Sequence, residues 1–195
     1  MLKSLLLLLI LSAFTVSPKQ GSGYVEDFTL PNVVTGKSFS LKEYDDASTV
    51  VIIFTSLYCP FAQLYEARID KLIDDYQEED TRFILINPTN PSQHQEDTME
   101  NMVRTAQERK LLTPFLVDSQ QRTARLLGAK KTPEAIVLSR GEKSFKIVYR
   151  GAIDDNPQVA EDVRHPYLRN FLEARRAGKT YSSRSYPATG CMIKK

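Results

Sequence analysis

The 195-residue chain has no tryptophan, two cysteines and two histidines. So small a stock of ligands excludes a dense disulfide scaffold and leaves little for a metal cluster. Its eight glycines and ten prolines follow no period, which excludes collagen-like and low-complexity architecture. Neither sign of charge dominates, since the formal net charge is +2. What is present is ordinary for a globular fold: 42% hydrophobic residues, enough to exclude wholesale disorder. The length fits one domain with a tail.

Charge is uneven along the chain. Residues 1–120 carry 10 Lys and Arg against 17 Asp and Glu, a net of −7, and residues 121–195 carry 16 against 7, a net of +9. The basic residues of the second part are dispersed among apolar positions rather than packed into a block, so no nucleic-acid partner is expected.

Met1-Leu2-Lys3-Ser4 is a short positive start, followed by the apolar run from Leu5 to Val16. Twelve such residues suit the core of a signal peptide and fall short of the ~20 that span a bilayer. Ser17, Gly21, Ser22 and Gly23 offer cleavage sites. The expected organisation is a signal peptide over 1–23, a folded domain over 24–178 and a C-terminal tail over 179–195 that carries Cys191. The protein is thus expected to be exported, periplasmic or secreted, and to meet the membrane only through an uncleaved signal segment. Export implies an oxidising compartment, in which two cysteines can pair.

After the signal segment, Phe28 to Leu41 reads as a hairpin around Thr35-Gly36. Thr49–Phe54 is continuously apolar and β-branched, as expected of a central strand buried on both faces. From Pro60 the period changes to three and four: Phe61, Leu64, Tyr65, Ile69, Leu72, Ile73 and Tyr76 mark a helix. Arg82–Asn87 is the next strand, parallel to the first because a helix connects them. A second helix follows from Met99, then a strand at Phe115–Val117 and a short helix ending at Gly128. Ala135–Leu138 and Phe145–Tyr149 form a hairpin around Gly141, and a last helix covers about 166–176. This order predicts a three-layer α/β domain with helices on both faces of a central mixed sheet.

Cys59 falls where the strand ending at Phe54 hands over to the helix beginning at Pro60, proline being pre-organised for a first helical position. A thiol there faces unpaired backbone N–H groups and the positive end of the helix dipole, both of which favour the thiolate. The competing reading is a buried, inert structural cysteine. Thr132-Pro133-Glu134, just before a strand, is a junction where a cis X-Pro bond can be locked or where proline merely starts a strand.

These features together resemble the thioredoxin-fold redoxins, in the peroxiredoxin-like branch related to the thiol-specific antioxidant (alkyl hydroperoxide reductase) family. The residues that carry the resemblance are Cys59-Pro60-Phe61-Ala62, Leu64-Tyr65-Glu66, Ile86-Asn87 and Thr132-Pro133-Glu134. They are completed by Tyr149-Arg150-Gly151-Ala152-Ile153-Asp154-Asp155-Asn156 and the closing Gly190-Cys191-Met192-Ile193. The resemblance implies a reactive thiol at Cys59, a cis Pro133 after Thr132 packed beside it, a peroxide or disulfide substrate, an external thiol reductant and no cofactor. Ser56 stands where the peroxidases carry threonine, but Ile52 replaces their proline, Ala62 replaces the second cysteine of Cys-x-x-Cys, and Leu57-Tyr58 gives a less polar approach.

Cys191 follows Gly178 by 13 residues, a stretch that can extend about 45 Å and so fold back over a small domain. Its pairing with Cys59 would be a permanent staple or the work of a resolving thiol. A copper site built on His94, His165 and one cysteine is disfavoured by the wide separation of the two histidines. The rival to an oxidoreductase is a non-catalytic binding module with a structural disulfide.

Overall fold

The computed structural model describes residues 24–77, 80–179, 181 and 186–194. The segment read as a signal peptide, 1–23, lies outside the described residues. In chain order the elements are β1 (Thr29–Asn32), β2 (Lys37–Ser40), β3 (Thr49–Phe54), α1 (Pro60–Tyr76), β4 (Thr81–Asn87), α2 (Met99–Glu108) and β5 (Phe115–Val117). There follow α3 (Arg122–Leu127), the two-residue β6 (Lys131–Thr132), β7 (Glu134–Arg140), β8 (Phe145–Gly151), α4 (Tyr167–Arg176) and β9 (Cys191–Met192). Seven strands form one mixed sheet in the order β2-β1-β5-β4-β3-β7-β8, and β6 pairs with β9 in a separate ladder.

Every residue of β3 is buried, so its alternating side chains feed two cores. Val51 and Ile53 join Tyr65, Ile69 and Leu72 of α1, Met102 of α2 and Phe171 of α4. Val50, Ile52 and Phe54 join Phe28, Phe39 and Leu41 from the N-terminal segment and Leu127 of α3. Helices therefore cover both faces, the three-layer arrangement expected from the order of elements. β3 runs parallel to β4 across a helical crossover and antiparallel to β7, with Phe54 opposite Glu134. The end of β3 consequently meets the start of β7, and this brings two segments far apart in sequence together at one end of the inner strands.

Two expectations are revised. The buried face of α1 is Ala62, Tyr65, Ile69, Leu72, Ile73 and Tyr76, whereas Leu64 is 50% exposed. Phe61 and Leu64 align at helical spacing with Arg68 and Lys71, on the neighbouring face rather than on the core stripe. The C-terminal tail is also more than a polar extension. β9 pairs antiparallel with β6, Cys191 opposite Thr132 and Met192 opposite Lys131. Anchors flank it on both sides: Ala152 N–H donates to the Tyr186 carbonyl (2.8 Å), Lys131 Nζ to the Ala188 carbonyl (2.8 Å) and Ile193 N–H to the Lys130 carbonyl (2.9 Å). The Tyr186 ring stacks on Tyr167 at 3.8 Å.

Candidate active site

Cys59 is the N-cap of α1, in an extended backbone conformation, with Pro60 in the first turn. Its carbonyl accepts the first helical bond, from Gln63 N–H, and the Gln63 carboxamide donates back to the Leu57 carbonyl. These two bonds tie the loop to the helix, and no acidic side chain occupies the first turn. The unpaired N–H groups and the dipole therefore act on the sulfur without local opposition from the helix.

The Thr132–Pro133 bond is cis, and the Cys59 sulfur lies 3.0 Å from the Thr132 carbonyl oxygen. That contact is a hydrogen bond only when the sulfur carries a proton, because a disulfide sulfur has nothing to donate. Glu134 shapes the approach to it: its buried carboxylate accepts the N–H groups of Lys130 (2.6 Å) and Lys131 (3.1 Å), and so fixes the turn from which β6 starts.

Cys59 and Cys191 form a disulfide across 132 positions, with their Cα atoms 5.9 Å apart. The β6–β9 ladder is what delivers Cys191, since the residue opposite it, Thr132, is the one whose carbonyl touches Cys59. Gly190 is required by that approach: a Cβ there would press on the Thr132 carbonyl, with its carbon at 2.7 Å and Pro133 N at 3.1 Å. With the tail docked, Cys59 is 0% exposed. The crevice beside it, lined by Tyr58, His94, Gln121, Thr132, Met192 and Lys194 among others, has about 10 Å³ of free space, room for about one water. The docked tail thus shields Cys59 from solvent. Tyr58 stacks on His94 at 3.6 Å, and burial, followed by the charge of Asp97, pushes its hydroxyl pKa up.

Beneath the loop sits a residue the sequence does not advertise. Asp97, 1% exposed, accepts from Ser56 Oγ (2.8 Å), Leu57 N–H (2.6 Å) and Asn87 Nδ2 (2.7 Å). The hydroxyl of Ser56 is thus committed to Asp97. Only the placement of Thr98 as the cap of α2 marks this stretch in the sequence, and nothing there sets Asp97 apart from Glu96.

Arg150 donates to the Leu127 carbonyl (2.6 Å) and lies against Gly128. Asp154 pairs with Arg68 at 2.8 Å. Asp154 and Asn156 hold local backbone turns, Asn156 N–H donating to Asp154 and Val159 N–H to Asn156, while Asp155 accepts from the N–H groups of Arg164 and His165. Among the described residues no group of three His, Cys, Asp or Glu is arranged to hold a metal ion.

A cysteine at a helix N-terminus, beside a cis proline at the end of the inner strands of a seven-stranded mixed sheet, defines a redoxin of the thioredoxin fold, a thiol oxidoreductase by class. The chain belongs to the AhpC/TSA family, whose sequence pattern matches residues 24–155. Among solved structures it is similar to an uncharacterized conserved protein from Geobacillus kaustophilus, with 31% identity, a TM-score of 0.80 and coverage of 88% of this chain and 90% of that one. It is likewise similar to a hypothetical protein from Sinorhizobium meliloti 1021, at 30% identity and a TM-score of 0.79, covering 88% and 92%. The peroxidoxin BcpB from Mycobacterium tuberculosis shares the fold at 19% identity and a TM-score of 0.56, over 80% of this chain and 96% of that one. No curated protein matches the chain.

Proposed function

We propose that the protein is an exported thiol-dependent oxidoreductase in which Cys59 is the attacking thiol and Cys191 the resolving one. The observation that carries this reading is the delivery of Cys191 by a strand to the carbonyl that already touches Cys59. In disulfide exchange, the Cys59 thiolate attacks one substrate sulfur, an S–S bond forms to Cys59 and the other sulfur leaves as thiolate. The Cys191 thiolate then attacks the Cys59 sulfur, the second substrate thiolate leaves, and an external dithiol regenerates the pair by the same exchange. The engagement of Ser56 with Asp97 and the loss of the peroxidase proline at Ile52 favour disulfide substrates. Family membership supports a second substrate, peroxide: the thiolate attacks the O–O bond, hydroxide or alkoxide leaves to be protonated, and Cys191 displaces water from the sulfenic acid. Export rests on the Leu-rich start of the chain, and an oxidising compartment suits a cysteine pair.

Turnover of a model disulfide and of hydrogen peroxide by Cys59→Ser and Cys191→Ser tests the assignment. Cys59→Ser is expected to lose activity altogether. Cys191→Ser is expected to complete the first attack and then stall, as the mixed disulfide or the sulfenic acid, until an external thiol resolves it. Multiple turnover in Cys59→Ser would end the assignment. Undiminished recycling in Cys191→Ser, together with a lowered melting temperature, would make the bridge a staple.

A further inference from the structure

We propose that Asp97 is a positioning residue for Cys59: its buried carboxylate anchors the loop that presents the sulfur, and its charge opposes the thiolate there. The inference rests on Cys59 being the redox thiol. Asp97 gathers donors from two elements, Ser56 and Leu57 in the β3–α1 loop and Asn87 at the end of β4. Leu57, whose N–H it holds, is only two residues from Cys59. Asn87 is itself fixed, its Oδ1 accepting Thr89 N–H and its Nδ2 also facing Met102 Sδ at 3.6 Å. The loop is therefore pinned from below at its middle, while Gln63 pins it from the helix side.

The three hydrogen-bond partners of Asp97 are neutral, so they orient the carboxylate without cancelling its charge. Asp97 and Ser56 are both buried, and the field of a buried charge reaches further than that of one at the surface. At the Cys59 sulfur it acts against the N-terminus of α1, so thiolate stability there is set by two opposing contributions. Ionisable groups also lie along the crevice, Tyr58, His94 and Lys194, and on the β6–β7 side, Lys131 and Glu134. Lys131 is held on the Ala188 carbonyl and Glu134 on two backbone N–H groups. Asp97 is distinguished from all of these by its grip on the loop itself.

Asp97→Asn separates anchor from charge. The amide oxygen can take the place of the Oδ1 that accepts Leu57 N–H and Asn87 Nδ2. The amide nitrogen then donates to Ser56 Oγ, a hydroxyl that can accept as readily as donate. The full-length chain is reduced, and the rate of iodoacetamide alkylation of Cys59 is followed from pH 5 to 10 by peptide mass, with melting curves alongside. In Asp97→Asn the thiol pKa is expected to fall by about half to one unit. The Cys59–Cys191 bond is expected to become about three- to tenfold easier to reduce in a glutathione buffer. Asp97→Ala, which loses the anchor too, is expected to melt lower. A reactive Cys59 whose pKa is the same in wild type and Asp97→Asn overturns this inference alone, whereas a wild-type Cys59 that labels only on denaturation overturns the redox role as well. If Asp97→Asn does not fold, Asp97→Ser decides the matter. It is likewise neutral and keeps an acceptor oxygen, so the thiol pKa is expected to fall, and an unchanged or higher value overturns the proposal.

Discussion

Arg68 donates to the Asp154 carboxylate at 2.8 Å and to the carbonyls of Asn156 (2.7 Å) and Pro157 (3.0 Å), while its guanidinium lies 3.8 Å from the centre of the Tyr65 ring. Tyr65 donates its hydroxyl to the same carboxylate, and the Asp154 side chain is only 5% exposed. Arg68→Ala would leave that charge buried without its cation, at a cost of about 3 kcal/mol or more. Urea unfolding at neutral pH is the measurement, and a loss below about 1 kcal/mol would show that water replaces the guanidinium. Arg68→Lys is expected to fall between, because a point charge cannot make the fork of bonds. The turn chemistry of Asp154–Asn156 was legible in the sequence, since Asx residues serve their own backbone. The partner 86 positions away was not, because pairing across a fold depends on which face of α1 turns inward. Asp97 escaped for the same reason: a carboxylate 40 residues from the loop it holds leaves no local pattern. Cys59, by contrast, has its chemistry in its immediate neighbours, a strand before it and a proline after it.

Elements whose stability comes from side-chain burial left a period in the sequence, and they were legible nearly to the residue: β3 over 49–54 and α1 from Pro60 appear where the pattern puts them. β9 has only two residues and is held through backbone bonds and a stacked tyrosine, so its polar surroundings gave no sign of it. Its one sequence cue was the Gly190-Cys191 pair, and the structure explains the glycine by closeness of approach rather than by backbone angle. Gly190→Ala would set a methyl against the Thr132 carbonyl and Pro133, forcing β9 away from β6. The expected outcome is a domain that still folds but closes the Cys59–Cys191 bond at least about tenfold more slowly after reduction, as a separation of an ångström or so suffices to lose the geometry of attack. Time-resolved quenching with a thiol reagent and non-reducing peptide mapping reads this directly. Wild-type closure kinetics in Gly190→Ala would mean that the ladder is not what presents Cys191.

At the scale of the whole molecule, one bond joins the centre of the fold to its C-terminus. Closing a loop of 132 positions removes denatured-state entropy worth about 5 kcal/mol in the ideal chain model. The native state also resists opening, because Cys59 is buried under the very segment the bond retains. These two effects respond differently to reduction. The entropic one acts on global unfolding, so dithiothreitol is expected to lower the melting temperature by roughly 10 °C for a chain of this size. The local one acts on the tail alone: once the covalent tie is gone, 186–194 is held by a two-residue ladder, flanking backbone bonds, the side-chain bonds of Lys131 to the Ala188 carbonyl and Gln121 to the Lys194 carbonyl, and the Tyr186–Tyr167 stack. So small a unit opens at far lower free energy than the sheet. Hydrogen exchange in the reduced protein, below its melting point, is therefore expected to accelerate at Ile193, whose N–H bonds the Lys130 carbonyl, and at Ala152, whose N–H bonds the Tyr186 carbonyl. The amides of β3 and β4, in the middle of the sheet, keep their protection. Alkylation of Cys59 should follow the opening of the tail, not that of the sheet. If the tail amides and β3 were to exchange together on reduction, the tail would be an integral part of the cooperative fold, and access to Cys59 would require global unfolding, which no thiol catalyst can use in turnover.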